Sequence, residues 1–97
     1  MEYLVRTETR LPADTDPDTV AELRARERTR AGELREAGIL KRLWRVPGRW
    51  ATVALYETHD ATELHDALTS LPMWPHTEVT VEPLAEHPQE AALRAGQ

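Results

Sequence analysis

The stretch from Pro17 to Ala37 constrains this chain more than any other, because it reads as one long helix with a single apolar side. Val20, Leu23, Ala31 and Leu34 recur at the three-and-four spacing of one helical face. Asp14-Thr15-Asp16-Pro17 supplies an N-cap acid, a proline suited to the first helical position and negative charge at the positive end of the helix dipole. Gly38 is a good residue for the position just past the end. One member of the stripe breaks the pattern. Glu27 lies between Leu23 and Ala31 on the same face, so a carboxylate is aimed at the core. Taking that group out of water is costly, and it must find a partner, raise its pKa or face a wet cavity. Each outcome suits a general base. The conservative reading is a structural carboxylate that pairs with a sheet arginine such as Arg6, Arg42 or Arg45, or that leans out to water.

The remaining segments say what covers the helix. Tyr3 to Thr9 alternates Tyr3, Val5, Thr7 and Thr9 with Arg6 and Glu8, the pattern of a strand with two distinct faces. Ile39 to Val46 and Trp50 to Tyr56 flank Pro47-Gly48 as an antiparallel hairpin. Asp60 caps a second helix, with Glu63 placed for a capping box and Ala61, Leu64, Leu68 and Leu71 as its buried stripe; Pro72 stops it. Glu78 to Leu84 is a fourth strand. Residues 1–88 form one domain, and residues 89–97 a loose or partly helical tail. The order strand, helix, strand, strand, helix, strand is the split βαβ arrangement of the α+β ferredoxin-like fold, βαββαβ with a four-stranded antiparallel sheet. Both helices cover one face of that sheet. The other face carries Trp and Arg side chains and is expected to be covered by a second chain, as in dimeric α+β barrels.

Composition supports a small core and a second chain. Of 97 residues, 40% are apolar, with three Trp, two Tyr and no Phe, so few large side chains are available to fill a monomeric core. The absence of Cys removes disulfides, thiolate nucleophiles and Cys-ligated metals, and points to a cytoplasmic protein. Seventeen acids against twelve bases, without a basic block, argue against nucleic acid as a partner. Charges at Glu2, Arg6, Glu8 and Arg10 exclude a signal-peptide apolar region, and no apolar run approaches a membrane span.

Leu43-Trp44-Arg45-Val46-Pro47-Gly48-Arg49-Trp50 gathers aromatic area and cationic donors at one end of the sheet. If Trp44 faces a cavity, Arg42 shares its side and Arg45 points the other way, so Arg42 and Trp44 together would bind a small carboxylate. Alternatively Trp44 and Trp50 are core or interface residues and the arginines are solvated. Among the four histidines, His65 beside the second helical stripe and His76 at the entry to the last strand are the functional candidates, and none has metal-helix spacing. Ser70 is the sole serine and lacks a nucleophile-elbow context.

The sequence resembles the muconolactone Δ-isomerase family of aromatic catabolism in the β-ketoadipate pathway. The resemblance rests on Leu11-Pro12 with Asp14 and Asp16-Pro17, Leu23 with Glu27, Gly38, Leu43-Trp44-Arg45 with Gly48, Leu64-His65-Asp66 with Leu68, Leu71-Pro72 with Pro75, and His87-Pro88. It covers roughly Tyr3 to Pro88. It implies a ferredoxin-like subunit in a homo-oligomer, a dimer at least and up to a decamer, with sites where subunits meet. It also implies cofactor-free conversion of (+)-muconolactone to 3-oxoadipate enol-lactone by allylic proton transfer. Glu27 would then be the proton carrier. Arg42, Arg45 and His65 would share stabilisation of the dienolate and binding of the acetate arm, with Trp44 and Trp50 excluding water. Family members carry His, Asp, His, Asn and Tyr where this chain has Leu4, Arg26, Arg49, Thr52 and His76, which implies a changed pocket rim. The competing expectations are isomerase, dehalogenase or cofactor-free monooxygenase chemistry on another lactone or a polyketide, or a non-catalytic ligand-binding subunit.

Overall fold

The computed structural model describes residues 1–96; Gln97, the end of the expected tail, lies outside the described residues. Strand β1 (Glu2–Thr9) is followed by helix α1 (Pro17–Glu36), the hairpin β2 (Leu40–Arg45) and β3 (Ala51–Glu57), helix α2 (Ala61–Thr69), strand β4 (Thr77–Leu84) and helix α3 (Pro88–Ala95). The four strands form one antiparallel sheet in the order β2-β3-β1-β4. This is the expected βαββαβ topology, with the first and third strands central. No helix among the described residues is long and apolar enough to cross a membrane.

Local chemistry sets the boundaries of α1. Asp16 accepts a hydrogen bond from the Thr19 N–H at 3.3 Å, and Pro17 fills the first helical position. At the other end the Gly38 N–H donates to the Arg35 carbonyl at 3.0 Å and the Ile39 N–H to the Leu34 carbonyl at 2.9 Å, the paired bonds of a Schellman motif. Gly38 has φ +77°, a left-handed conformation that a side chain would disfavour. In the hairpin turn the Arg49 N–H donates to the Val46 carbonyl at 3.2 Å. Pro47 presets the first central residue and Gly48, again at φ +77°, supplies the second.

The core lies between the helices and one sheet face. Tyr3, Val5, Leu34, Leu40, Ala54, Tyr56, Leu64, Ala67 and Leu68 form a single buried cluster. The β1 alternation predicted from sequence holds, with Tyr3 and Val5 buried and Arg6 exposed. The α2 stripe shifts by part of a turn, because Ala67 is buried where Ala61, in the first turn beside the cap, is exposed. The α1 stripe is buried only at Leu34; Val20, Leu23, Glu27 and Ala31 are half-buried. Its N-terminal half therefore overhangs space instead of packed side chains.

An irregularity in β2 decides which side chains face that space. Leu40 pairs with Tyr56 and Arg42 with Leu55, leaving Lys41 as an extra residue. Simple alternation would place Leu40, Arg42 and Trp44 on one face. With Lys41 bulged, Leu40, Leu43 and Arg45 share the helix side, and Arg42 and Trp44 turn to the opposite one. There the Arg42 guanidinium carbon sits 4.9 Å from the Trp44 ring centre. Half-buried Leu4, Val53 and Leu55 also face that open side. The tail forms α3, capped by His87, whose Nδ1 accepts from the Gln89 N–H; the helix buries no residue within this chain.

Candidate active site

Between α1, the sheet and the loop after α2 lies a cavity of about 740 Å³. Helix α1 contributes Arg24, Glu27, Arg28 and Ala31, one continuous helical face that ends where packing against the sheet begins. The sheet floor contributes two hydroxyl pairs made by strand register. Thr7 pairs with Thr52, their Oγ1 atoms 2.6 Å apart, and Thr9 with Thr77, at 3.2 Å. Arg45, Trp50, Met73 and Trp74 also line it.

Glu27 reaches the cavity as a half-buried carboxylate held from across the fold. Its Oε1 accepts a hydrogen bond from the Met73 N–H at 3.0 Å. Met73 is fixed by its buried side chain and by the turn Leu71 to His76, in which Trp74 N–H donates to the Leu71 carbonyl and His76 N–H to the Met73 carbonyl. Burial pushes the Glu27 carboxyl above its ordinary value of 4.5, and the Met73 hydrogen bond opposes that shift without cancelling it. A neutral N–H thus orients the carboxylate without neutralising it. The sheet arginines Arg6, Arg42 and Arg45 do not pair with Glu27 in the fold.

Cations surround this one acid. The Arg24 guanidinium carbon lies 3.7 Å from the Trp50 ring centre, a close cation–π stack that leaves its N–H edges free. Arg24, Arg28 and Arg45 have no carboxylate within ion-pair distance among the described residues. Arg49, at the rim, is already engaged: it donates to Glu8 Oε1 at 2.7 Å, and that hydrogen bond holds the half-buried Glu8 carboxyl below its usual range. The cavity is therefore suited to a small anion with an acidic C–H near Glu27.

Of the residues singled out from sequence, the fold brings Glu27, Arg45 and Trp50 to this cavity. Arg42 and Trp44 stack on each other outside it, on the other sheet face, because of the Lys41 bulge. His65 is exposed on α2 and meets Trp74 edge-on, with ring centres 6.2 Å apart, so it stands behind a cavity wall. His76 closes the 3₁₀ turn, and its carbonyl accepts from the Arg10 N–H at 2.9 Å; its side chain does not line the cavity. Sequence reasoning passed over Arg24 and Arg28, although both sit on the Glu27 face of α1. It also passed over Tyr56, which β3 alternation aligns with Thr52 and Ala54. Of Leu4, Arg26, Arg49, Thr52 and His76, Arg49 and Thr52 line the cavity and the other three do not.

Comparison with known proteins agrees with this architecture. The family model described as muconolactone delta-isomerase matches residues 1–90. The chain is 36% identical to muconolactone Delta-isomerase of Cupriavidus pinatubonensis over 91% of its length and 96% of that protein. It is 34% identical to the Pseudomonas aeruginosa enzyme of that name, over 91% and 92% of the two chains. A crystal structure of muconolactone isomerase superposes with a TM-score of 0.85 at 33% identity, covering 91% of this chain and 92% of that one. A match spanning both the helix that carries Glu27 and the strands that wall its cavity places this chain in the muconolactone delta-isomerase family.

Proposed function

We propose that this protein converts (+)-muconolactone to 3-oxoadipate enol-lactone, with Glu27 as the base that removes and returns one proton. The observation that carries the reading is a half-buried carboxylate, oriented by a neutral backbone N–H, in a largely apolar cavity whose other polar side chains are cations and hydroxyls. The ionised Glu27 carboxylate takes the proton from the ring carbon bearing the acetate arm. The electrons move through the ring double bond onto the lactone oxygen as a dienolate. Glu27 then returns the proton to the carbon next to the carbonyl, leaving the double bond one position along. Base and acid are the same group, so a carboxyl raised by burial suits both halves of the reaction.

Substrate charge explains the cations. The acetate arm is an anion, and Arg24, braced on Trp50, offers it a charge-assisted pair of donors. Arg28 on α1 and Arg45 on β2 add positive potential to the same cavity. Arg24→Gln should therefore raise KM by about 10–100-fold, the value of a hydrogen bond to a charged group, with a much smaller change in kcat. Equal KM values for wild type and variant would remove Arg24 from substrate binding.

Oligomerisation and a cytoplasmic location belong to the same proposal. Trp50 is 56% exposed and Trp74 and Leu43 are also open at the cavity mouth, while Arg42, Trp44, Leu4 and Leu55 line the face away from the helices. A second copy on these surfaces would exclude water from the reaction.

Conversion of (+)-muconolactone in deuterated buffer, followed by ultraviolet absorbance and NMR, tests the function directly. Enol-lactone should form, with deuterium content reporting how often the Glu27 proton exchanges with solvent before its return. No product and no label in recovered substrate would remove the muconolactone assignment. The pH profile gives an independent check. Because Glu27 must be ionised and burial raises its pKa, kcat/KM should climb with pH through a midpoint above 4.5 and then level off. A midpoint at or below 4.5 would assign the base to another group.

A further inference from the structure

Tyr56 is, after Glu27, the second weak acid that the fold brings to the cavity, and proton transfer by Glu27 alone leaves its hydroxyl unused. The ring is core: Tyr56 is 5% exposed, lies opposite Tyr3 on β1 and Leu40 on β2, and packs in the main cluster. Phenylalanine would fill that volume equally well. The hydroxyl is the part that packing does not explain. It makes no hydrogen bond to the protein among the described residues, yet no fully buried side-chain oxygen or nitrogen there lacks a partner. The phenolic oxygen is therefore open to the space that the residue lines, which is the Glu27 cavity.

We infer that Tyr56 is a catalytic hydrogen-bond donor that presents its phenolic proton to the lactone carbonyl oxygen as that oxygen becomes the dienolate. The inference rests on the muconolactone reading of the site and adds the group that receives the charge. No bond to the phenolic hydrogen breaks; the only proton transferred is the one Glu27 carries. Burial, followed by the negative charge of Glu27, pushes the Tyr56 pKa up to about 12, so the phenol stays a donor throughout the working range. Sharing one cavity with Glu27 gives the donor its timing. When Glu27 takes the substrate proton its charge disappears, and negative charge appears on the lactone oxygen. The Tyr56 hydroxyl dipole then meets a stronger acceptor in the intermediate than in the ground state, the condition for raising kcat and not merely tightening binding.

Tyr56→Phe separates this role from core packing, since the ring remains. With muconolactone the variant should melt like wild type, keep KM within a few-fold and lose about 10²-fold in kcat, the usual effect of removing one oxyanion donor. A kcat within two-fold of wild type would overturn the inference and leave the isomerase reading standing. A second arm needs no turnover. 4-Nitrophenolate, a planar oxyanion whose absorbance shifts when its oxygen accepts a hydrogen bond, is titrated into Glu27→Gln and into Glu27→Gln/Tyr56→Phe. The single variant should bind it about tenfold or more tightly than the double and shift its spectrum. Equal affinity and equal spectra would overturn the donor role whatever the turnover result. Absence of turnover in wild type would strike the muconolactone assignment alone, with the phenolate titration still deciding Tyr56.

Discussion

Glu27→Gln should lower kcat for muconolactone by about 10²–10⁴-fold, the range that a positioned general base supplies. The amide keeps the length of the side chain, and its oxygen can still accept the Met73 N–H, so the 3.0 Å tether and the cavity shape should survive. Only basicity is lost. Deuterium should then be absent from recovered substrate, because the first C–H bond no longer breaks. Activity within tenfold of wild type would show that another group takes the proton.

The same substitution should stabilise the fold at neutral pH. The folded-state pKa of Glu27 lies above its ordinary value of 4.5 because burial disfavours the charge. Its contribution to stability is therefore fully present below the unfolded pKa and is lost as pH rises through the folded pKa. Wild type should lose melting temperature over that window, and the Gln variant should lack this component of the slope. A higher melting temperature together with a dead enzyme is the signature of a functional carboxylate kept at a cost in stability. A Gln variant less stable than wild type at neutral pH would instead mark Glu27 as structural.

The second large effect is on folding. Leu34→Ala should cost about 2–5 kcal/mol, read from chemical denaturation, a large share of the roughly 5–15 kcal/mol that holds a domain together. Leu34 is 2% exposed and is the one fully buried residue of α1, so it is the side chain that anchors the site-bearing helix to the sheet. Its carbonyl also closes the helix by accepting from Ile39, a backbone bond that alanine keeps, so the loss should come from the cavity left behind. A cost below about 1 kcal/mol would mean that contacts from neighbouring residues hold α1 in place.

Much of this protein follows from its sequence alone, for a local physical reason in each case. Capping by Asp16 and Pro17, the left-handed glycine at Gly38, the Pro47-Gly48 turn and the Tyr3/Val5 alternation all depend on bonds within a few residues, and the βαββαβ order follows from their succession. Glu27 was legible too, because a charge in an apolar stripe is a contradiction that only a partner or a cavity resolves. Its surroundings were not. Whether Arg42 and Trp44 or Leu43 and Arg45 face the helices depends on one extra residue, Lys41, and a bulge reverses every side chain beyond it. The Met73 N–H lies 46 residues from its acceptor and the Thr7–Thr52 pair 45 apart, so no local pattern announces either. Helix periodicity put a carboxylate on the inward face with Arg24 and Arg28 beside it; strand register and the turn after α2 decided which hydroxyls, phenol and sheet arginine share its cavity, because that cavity exists only once the chain has closed on itself.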